Sequence, residues 1–418
     1  MSLRDMPSCN ISPRPVVMVS LDWLRDGDPP FGLGAASIVS SLRACGSNVR
    51  LVTDAVNGPK FSIDAFLDRV MVAISEAGTK VLVGISAFVW CEIEVQMLLR
   101  AIPPEIDVVL GGPQISYTIP GQLEQLYPRA RYFVRGSGEF AMTSLVMRCA
   151  ENGLHGLHIA RMPDLCTRAD YSLDSLPSPH LDGTTPIGNF VRWETRRGCL
   201  FACTFCQHKQ PGTTLNNTNM ATGRLLHEIT AFCISGTEKI AVLDPIFNIN
   251  DSRAVNLLNC MKECHIGAHL SLQCRFELTT DAFLDAVESL DVTLEFGLQT
   301  IHDDEAQAVC RPNHMTSVEN VIEKLNSRHI PYEVSLIYGL PFQTVKSFQD
   351  SVDWCLEHGV PRVRAWPLML LRGTPIYAQR EKWGYVESTK DRIPLVVKSH
   401  WFSRSEHAKM TDIASSLS

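Results

Sequence analysis

From Val16 onward the chain alternates short, almost wholly apolar runs with longer stretches whose apolar residues lie three and four apart. Val16-Val17-Met18-Val19-Ser20 reads as a buried strand, and so do 49–53, 80–86, 106–110 and 132–136. Helical spacing fills the gaps at 34–45 (Ala35, Ile38, Val39, Leu42), 61–76, 95–102 and 123–127. Near-continuous apolar strands joined by helices predict a parallel sheet covered on both faces. Residues 1–150 are therefore expected to form a Rossmann-like (flavodoxin-like) α/β domain. Residues 151–190 carry Pro163, Pro177, Pro179, Pro186, Gly183 and Gly188, and read as a linker with little regular structure. The alternation resumes over 191–375, with strands at 191–195, 239–244, 269–275, 292–298, 332–338 and 362–370. Helices at 222–235, 281–290, 317–328 and 344–358 fit between them. Six strands are fewer than a closed eight-stranded barrel requires, so a partial (β/α)6 barrel is expected. Residues 376–418 form a short, charged and mixed C-terminal tail.

Composition narrows the classes. In 418 residues, 45% are hydrophobic and 20% charged, enough for a core of ordinary size in each domain. A net charge of −7 does not suit a polybasic nucleic-acid surface. No apolar run approaches the ~20 residues of a membrane span. Met1–Pro15 shows no charged-then-apolar leader pattern, so a cytoplasmic location is expected. Fourteen cysteines without a regular framework are expected to be mostly reduced. Cys9, Cys45, Cys91, Cys149, Cys166, Cys233, Cys260, Cys264, Cys274, Cys310 and Cys355 lie in apolar or helical contexts. Cys310, beside Arg311, reads as a buried small side chain, with a reactive thiol as the other reading.

The remaining three cysteines carry chemistry. Cys199, Cys203 and Cys206 are spaced C-x3-C-x2-C in Gly198-Cys199-Leu200-Phe201-Ala202-Cys203-Thr204-Phe205-Cys206. Three thiolates can hold three irons of a 4Fe–4S cubane and leave the fourth iron an open position. A zinc knuckle closed by His208 is the competing reading, although zinc prefers paired C-x2-C spacing. A chance grouping in a cysteine-rich chain is the other. The loop follows the strand Val191-Arg192-Trp193-Glu194-Thr195, at the strand end where α/β sheets carry their sites.

The segment Glu194-Thr195-Arg196-Arg197-Gly198-Cys199 through Cys206 resembles the cluster loop of the radical S-adenosylmethionine (radical SAM) superfamily. The resemblance implies a 4Fe–4S cluster whose open iron takes the amino and carboxylate groups of SAM, with reductive cleavage to a 5′-deoxyadenosyl radical. It also implies a reductant such as flavodoxin or ferredoxin. The order of an α/β domain followed by this loop resembles the cobalamin-binding-domain-containing radical SAM enzymes over about residues 16–372. Ser86–Trp90, Gly111–Ser116, Arg135–Glu139, Leu176–Pro179, Asp244–Asn248, Glu295–Thr300 and Tyr338–Pro341 carry the likeness.

That likeness implies contacts to cobalamin from Gly32, Ser86, Phe88, Trp90, Gly111, Gly112, Ser116, Gly136 and Glu139. Glycine turns occur in any α/β domain, so a pure scaffold stays an alternative for this half. The first histidine is His155, so no DxHxxG motif exists in residues 1–150. A bound cobalamin is expected to lack a lower histidine ligand and to be capped by water or by Ala87–Trp90. Phe31–Gly34 occupies the comparable turn.

For SAM the expected contacts are Phe205, Asp244, Arg275, Glu295, Gln299, Arg311 and Gly339. Alternation puts 295, 297 and 299 on one strand face. Arg311 is a candidate for the SAM carboxylate, and Gly339 offers backbone on which adenine could stack. The structural alternatives are a Glu295–Arg275 ion pair inside the barrel, Arg311 as a solvated turn residue, and helix capping by Asp244 and Asn248.

Three activities stay open on the sequence. The first is cobalamin-dependent methyl transfer to a small natural-product or pigment precursor. The second is transfer of the 3-amino-3-carboxypropyl group of SAM, or a radical rearrangement or cyclisation, with the cobalamin domain modified or vestigial. The third is a cobalamin- or iron–sulfur-binding sensor, for which no nucleic-acid reader is visible.

Overall fold

In a computed structural model, residues 12–417 are described, apart from 26, 30–31, 150–153, 168–171 and 209–218. Cys9 and Phe31 lie outside the described residues. The chain divides into two compact units, Met1–Ile187 with Asn216–Arg224, and Gly188–Leu215 with Leu225–Ser418.

The first unit is built on β1 (Val16–Asp22), β2 (Val49–Ala55), β3 (Leu82–Ser86), β4 (Asp107–Gly111), β5 (Tyr132–Val134) and β6 (Leu157–Ile159). Their order is β2-β1-β3-β4-β5-β6. The first five strands pair in parallel, in the flavodoxin-like order. β1 and β3 are buried at every residue, as strands covered on both faces must be. The helices are α1 (Leu33–Ala44), α2 (Ile63–Ala77), α3 (Glu92–Ala101), α4 (Pro113–Ser116), α5 (Leu123–Leu126) and α6 (Gly138–Val146). Val39 and Leu42 of α1 join Ala141 and Met142 of α6 in one core layer. Phe66 and Val70 of α2 join Val95 and Leu98 of α3 in the other. One expectation needs correcting. Leu157–Ile159, placed in an irregular linker, pairs antiparallel with β5 and closes that edge of the sheet. Three residues are too short for periodicity to show, and Gly153, Gly156 and Pro163 around them read as breakers.

The second unit holds β7 (Phe190–Trp193), β8 (Lys239–Val242), β9 (His269–Cys274), β10 (Val292–Gln299), β11 (Tyr332–Tyr338) and β12 (Val363–Pro367). Each strand pairs in parallel with its sequence neighbour. β7 and β12 end the order without pairing to each other, so the barrel is open. The helices are α7 (Thr222–Ile234), α8 (Asp251–Glu263), α9 (Asp281–Val287), α10 (Asp303–Ala308), α11 (Met315–Ser327), α12 (Val345–Glu357) and α13 (Pro375–Ala378). β10 alternates strictly between buried and half-buried residues. Leu294, Phe296 and Leu298 enter the core, while Glu295, Gly297 and Gln299 share the other face. The C-terminal segment is folded. β13 (Val386–Glu387) and β14 (Val396–Lys398) pair antiparallel, and α14 (Arg404–Ser416) packs on α12 and β12. Among the described residues no helix is long and apolar enough to cross a membrane.

Candidate functional site

The cysteine loop starts where β7 ends, and its backbone is tied on several sides. The Thr204 amide donates to the Val309 carbonyl at 3.0 Å, and the Ile376 amide donates to the Thr204 carbonyl at 3.0 Å. The Gln207 side-chain amide donates to the Arg372 carbonyl at 2.9 Å. The segment after α10 and the segment after β12 therefore hold the loop between them. The Cys199 amide donates to the His208 carbonyl at 3.2 Å, and the His208 amide donates to the Cys206 sulfur at 3.4 Å. His208 thus meets the loop through its backbone.

The thiols feel one another. Burial pushes the Cys206 thiol up to about 11, with the charges of Cys203 and Cys199 adding to the rise. Burial also raises Cys199, with Cys203 contributing. Such thiols stay protonated at neutral pH unless cations replace the protons. Arg275 and Arg196 lower Cys199, and Arg311 lowers Cys206. Three sulfurs faced by three guanidiniums suit an assembly of net negative charge. A cubane in which each thiolate takes its own iron fits this donor set. Among the described residues no trio of His, Cys, Asp or Glu is gathered tightly enough to hold a single metal ion.

The structure redistributes the roles expected for SAM. Asp244 is fully buried. Its Oδ1 accepts the Thr195 amide at 2.7 Å and the Arg196 amide at 3.1 Å, and its Oδ2 accepts the Thr195 hydroxyl. Arg253 of α8 donates to the Thr195 hydroxyl at 3.0 Å and to the Thr195 carbonyl at 2.8 Å. Asp244 therefore fixes the turn that launches the cysteine loop. It does not cap α8, whose cap is Asn250. Asn248 is also not a cap. It exchanges two hydrogen bonds with the Arg275 backbone, each 3.0 Å long.

Arg275 stacks its guanidinium 3.8 Å from the Phe201 ring centroid and pairs with Glu277 at 3.2 Å. The expected Glu295–Arg275 ion pair is replaced by a Ser271 hydroxyl donating to Glu295. Glu295 thus stays on the barrel's inner face beside Gln299. Gly339 is buried, its amide donates to Gln343 Oε1 at 2.6 Å, and an added Cβ would lie 3.4 Å from Leu368. Leu368 and Phe402 pack close to that backbone. Phe205 is half-buried beside its cysteine neighbours. Arg311 is buried rather than solvated, with Nη1 3.8 Å from Cys203 Sγ. Cys310 is exposed, contrary to expectation, because the chain turns there at φ 51° to send Arg311 inward. Arg196, Arg253 and Phe201 went unassigned in the sequence. The Arg196-Arg197 pair before the loop was the available signal.

In the first unit the expected residues sit at the strand ends. Phe88 and Trp90 stack in parallel, centroids 4.5 Å apart, and both are half-buried. The Trp90 indole donates to the Leu21 carbonyl at 2.9 Å, which fixes the plane of the pair. Gly112 has φ 98°, and a Cβ there would lie 2.7 Å from the Ala87 carbonyl, so only glycine lets the two loops touch. Ser86 pairs with Gly111 across β3 and β4. The Gly32 amide donates to Asp22 at 3.1 Å. Ser116 and Glu139 are both engaged in hydrogen bonds. The Ser116 hydroxyl accepts the Gly136 amide at 2.9 Å, and Glu139 accepts the Ser37 hydroxyl at 2.6 Å. They shape the strand ends rather than offer free groups. A flat, half-exposed aromatic pair beside glycine turns fits one face of a macrocycle.

Residues 193–355 match the radical SAM superfamily model. The chain is 25% identical over 326 residues to the cobalamin-dependent radical SAM methyltransferase TokK of Streptomyces tokunonensis, covering 70% of this chain and 47% of that protein. It is 24% identical over 343 residues to a 2-(S-pantetheinyl)-carbapenam-3-carboxylate methyltransferase of Streptantibioticus cattleyicolor, covering 72% and 49%. The chain thus spans about half the length of the curated relatives it matches. The solved structure of the methyltransferase TsrM from Kitasatospora setae, with tryptophan and a SAM analogue bound, superposes with a TM-score of 0.71 at 17% identity. That match covers 94% of this chain and 82% of TsrM and shows a shared fold. A second TsrM structure holds cobalamin and a [4Fe–4S] cluster. Fold, cysteine loop and family match together define a radical SAM domain over residues 193–355. The chain as a whole is similar to a cobalamin-dependent radical SAM methyltransferase and shares the fold of a protein that holds cobalamin and a [4Fe–4S] cluster.

Proposed function

We propose that this chain is a cobalamin-dependent radical SAM methyltransferase acting on a small molecule. The cobalamin domain would occupy residues 1–150 and the barrel 191–375. The observation that carries the reading is a flavodoxin-order sheet with an aromatic pair at its strand ends, in one chain with a three-thiol loop at the mouth of an open barrel. Its cofactors supply an electron to cleave SAM and a carrier for the methyl group. The chain's own residues bind and orient. Cys199, Cys203 and Cys206 hold the cluster, and Asp244 with Arg253 fixes the turn before them. Glu295 and Gln299 offer acceptors for SAM hydroxyl and ammonium donors on the inner face of β10. Phe88 and Trp90 would cover a bound corrin and shield it from water where residues 1–150 offer no histidine. A flavodoxin or ferredoxin serves as reductant.

Anaerobic reconstitution with iron, sulfide and hydroxocobalamin tests this without the substrate in hand. Under reducing conditions, S-adenosylhomocysteine is expected to form from SAM only when cobalamin is present. Methylthioadenosine in its place, or a protein that retains no cobalamin on gel filtration, contradicts methyl transfer.

A further inference from the structure

Arg311 is a buried cation without an acidic side chain bonded to it. It is 9% exposed. Its Nη2 donates to the Gly297 carbonyl and its Nη1 to Cys203 Sγ, while its Nε has no hydrogen-bond partner. Arg275, the other guanidinium acting on it, is itself a cation and opposes its charge. Removing a guanidinium from water costs several kcal/mol unless an anion stands opposite. Glu277 also acts on Arg311 but is paired with Arg275, so the anionic group that Arg311 itself bonds is the cysteine loop. A cubane on three thiolates has one net negative charge when oxidised and two when reduced, so a fixed cation beside one thiolate favours the reduced form. Hydrogen bonds to cluster sulfurs and net charge are among the levers that set such potentials.

The position is built. Arg311 leaves the exposed Cys310 turn, and its amide donates to the Ala306 carbonyl at 2.8 Å, which anchors its base. Gly297 leaves room for the fork, since a Cβ there would lie 3.0 Å from Arg311 Nη2 and 2.5 Å from Gln299 Nε2.

We propose that Arg311 is a positioning residue that sets the reduction potential of the cluster through its N–H···S contact with Cys203, with Gly297 keeping the space that allows it. The inference rests on the cluster reading above. It concerns the ease of reduction, separate from any hold on the SAM carboxylate.

The test uses the full chain, reconstituted anaerobically, in wild-type form and as Arg311→Met, Arg311→Lys and Gly297→Ala. Iron and sulfide are counted first, then the cluster is titrated by EPR at controlled potential without SAM. Arg311→Met is expected to cut the reduced-to-oxidised ratio about tenfold at the wild-type midpoint, a negative shift of about 59 mV for one electron. Arg311→Lys and Gly297→Ala keep the charge but move it, and are expected to shift the midpoint the same way by less. They carry the test if Arg311→Met assembles no cluster. Unchanged midpoints in cluster-loaded variants overturn the proposal, also where SAM affinity falls. A wild-type chain that assembles no cubane refutes the cluster reading instead.

Discussion

Replacing any one of Cys199, Cys203 or Cys206 with Ala is expected to bring iron and sulfide to background and to abolish SAM cleavage. The loss is all-or-none because no spare donor is seen at the loop among the described residues. His208 meets the loop through its backbone, and the nearest further thiol in sequence, Cys233, is turned to the Cys264 carbonyl at 2.7 Å. The fold should survive, since the loop's ties to Val309, Ile376 and Arg372 do not use the sulfurs. Iron and acid-labile sulfide analysis with a thermal melt checks both halves. A variant that retains a full cluster removes that cysteine from the ligand set.

Asp244→Ala has the largest expected effect on stability. Three donors point at this carboxylate, and Arg253 leans on the same turn. Each orphaned buried donor costs about 1–3 kcal/mol. Against this stands the strain of a buried charge, for burial pushes the Asp244 carboxyl up to about 6 despite the bonds that lower it. With an unfolded value near 3.9, that charge costs about 3 kcal/mol above pH 6. The orphaned donors outweigh this relief, and a net loss of about 2–5 kcal/mol is expected. The sign of the pH dependence follows. Between about pH 4 and 6 the folded state holds the extra proton, so this residue's contribution falls as pH rises through that window and is flat above it. Asp244→Asn keeps one acceptor and no charge. It is expected to lose less stability and to flatten the window, as urea melts at several pH values can show.

What was legible in the sequence was periodicity. The fully buried β1 and β3 and the alternating β10 follow directly from residue type, and the cysteine spacing singled out the loop after β7. Direction was not legible. Asp244 and Gly339 both end barrel strands, as site residues should. Yet the first turns its carboxylate sideways to Thr195, and the second is packed under Leu368. Spacing says which face a residue shares but not whether a neighbouring loop has already taken its polar atoms. Arg253 stayed hidden for the same reason, because its partner is 58 positions away. The edge strand β6 was missed because it is only three residues long, whereas its pairing is decided by the free edge of β5.

The central claim is that three thiolates hold a cubane with one iron left for SAM. The direct measurement is the EPR spectrum of the reduced, anaerobically reconstituted protein before and after SAM is added. The account predicts a 4Fe–4S signal whose g-values move when SAM binds, and no movement in the cysteine variants. Zinc in place of iron, or a cluster signal indifferent to SAM, would contradict it.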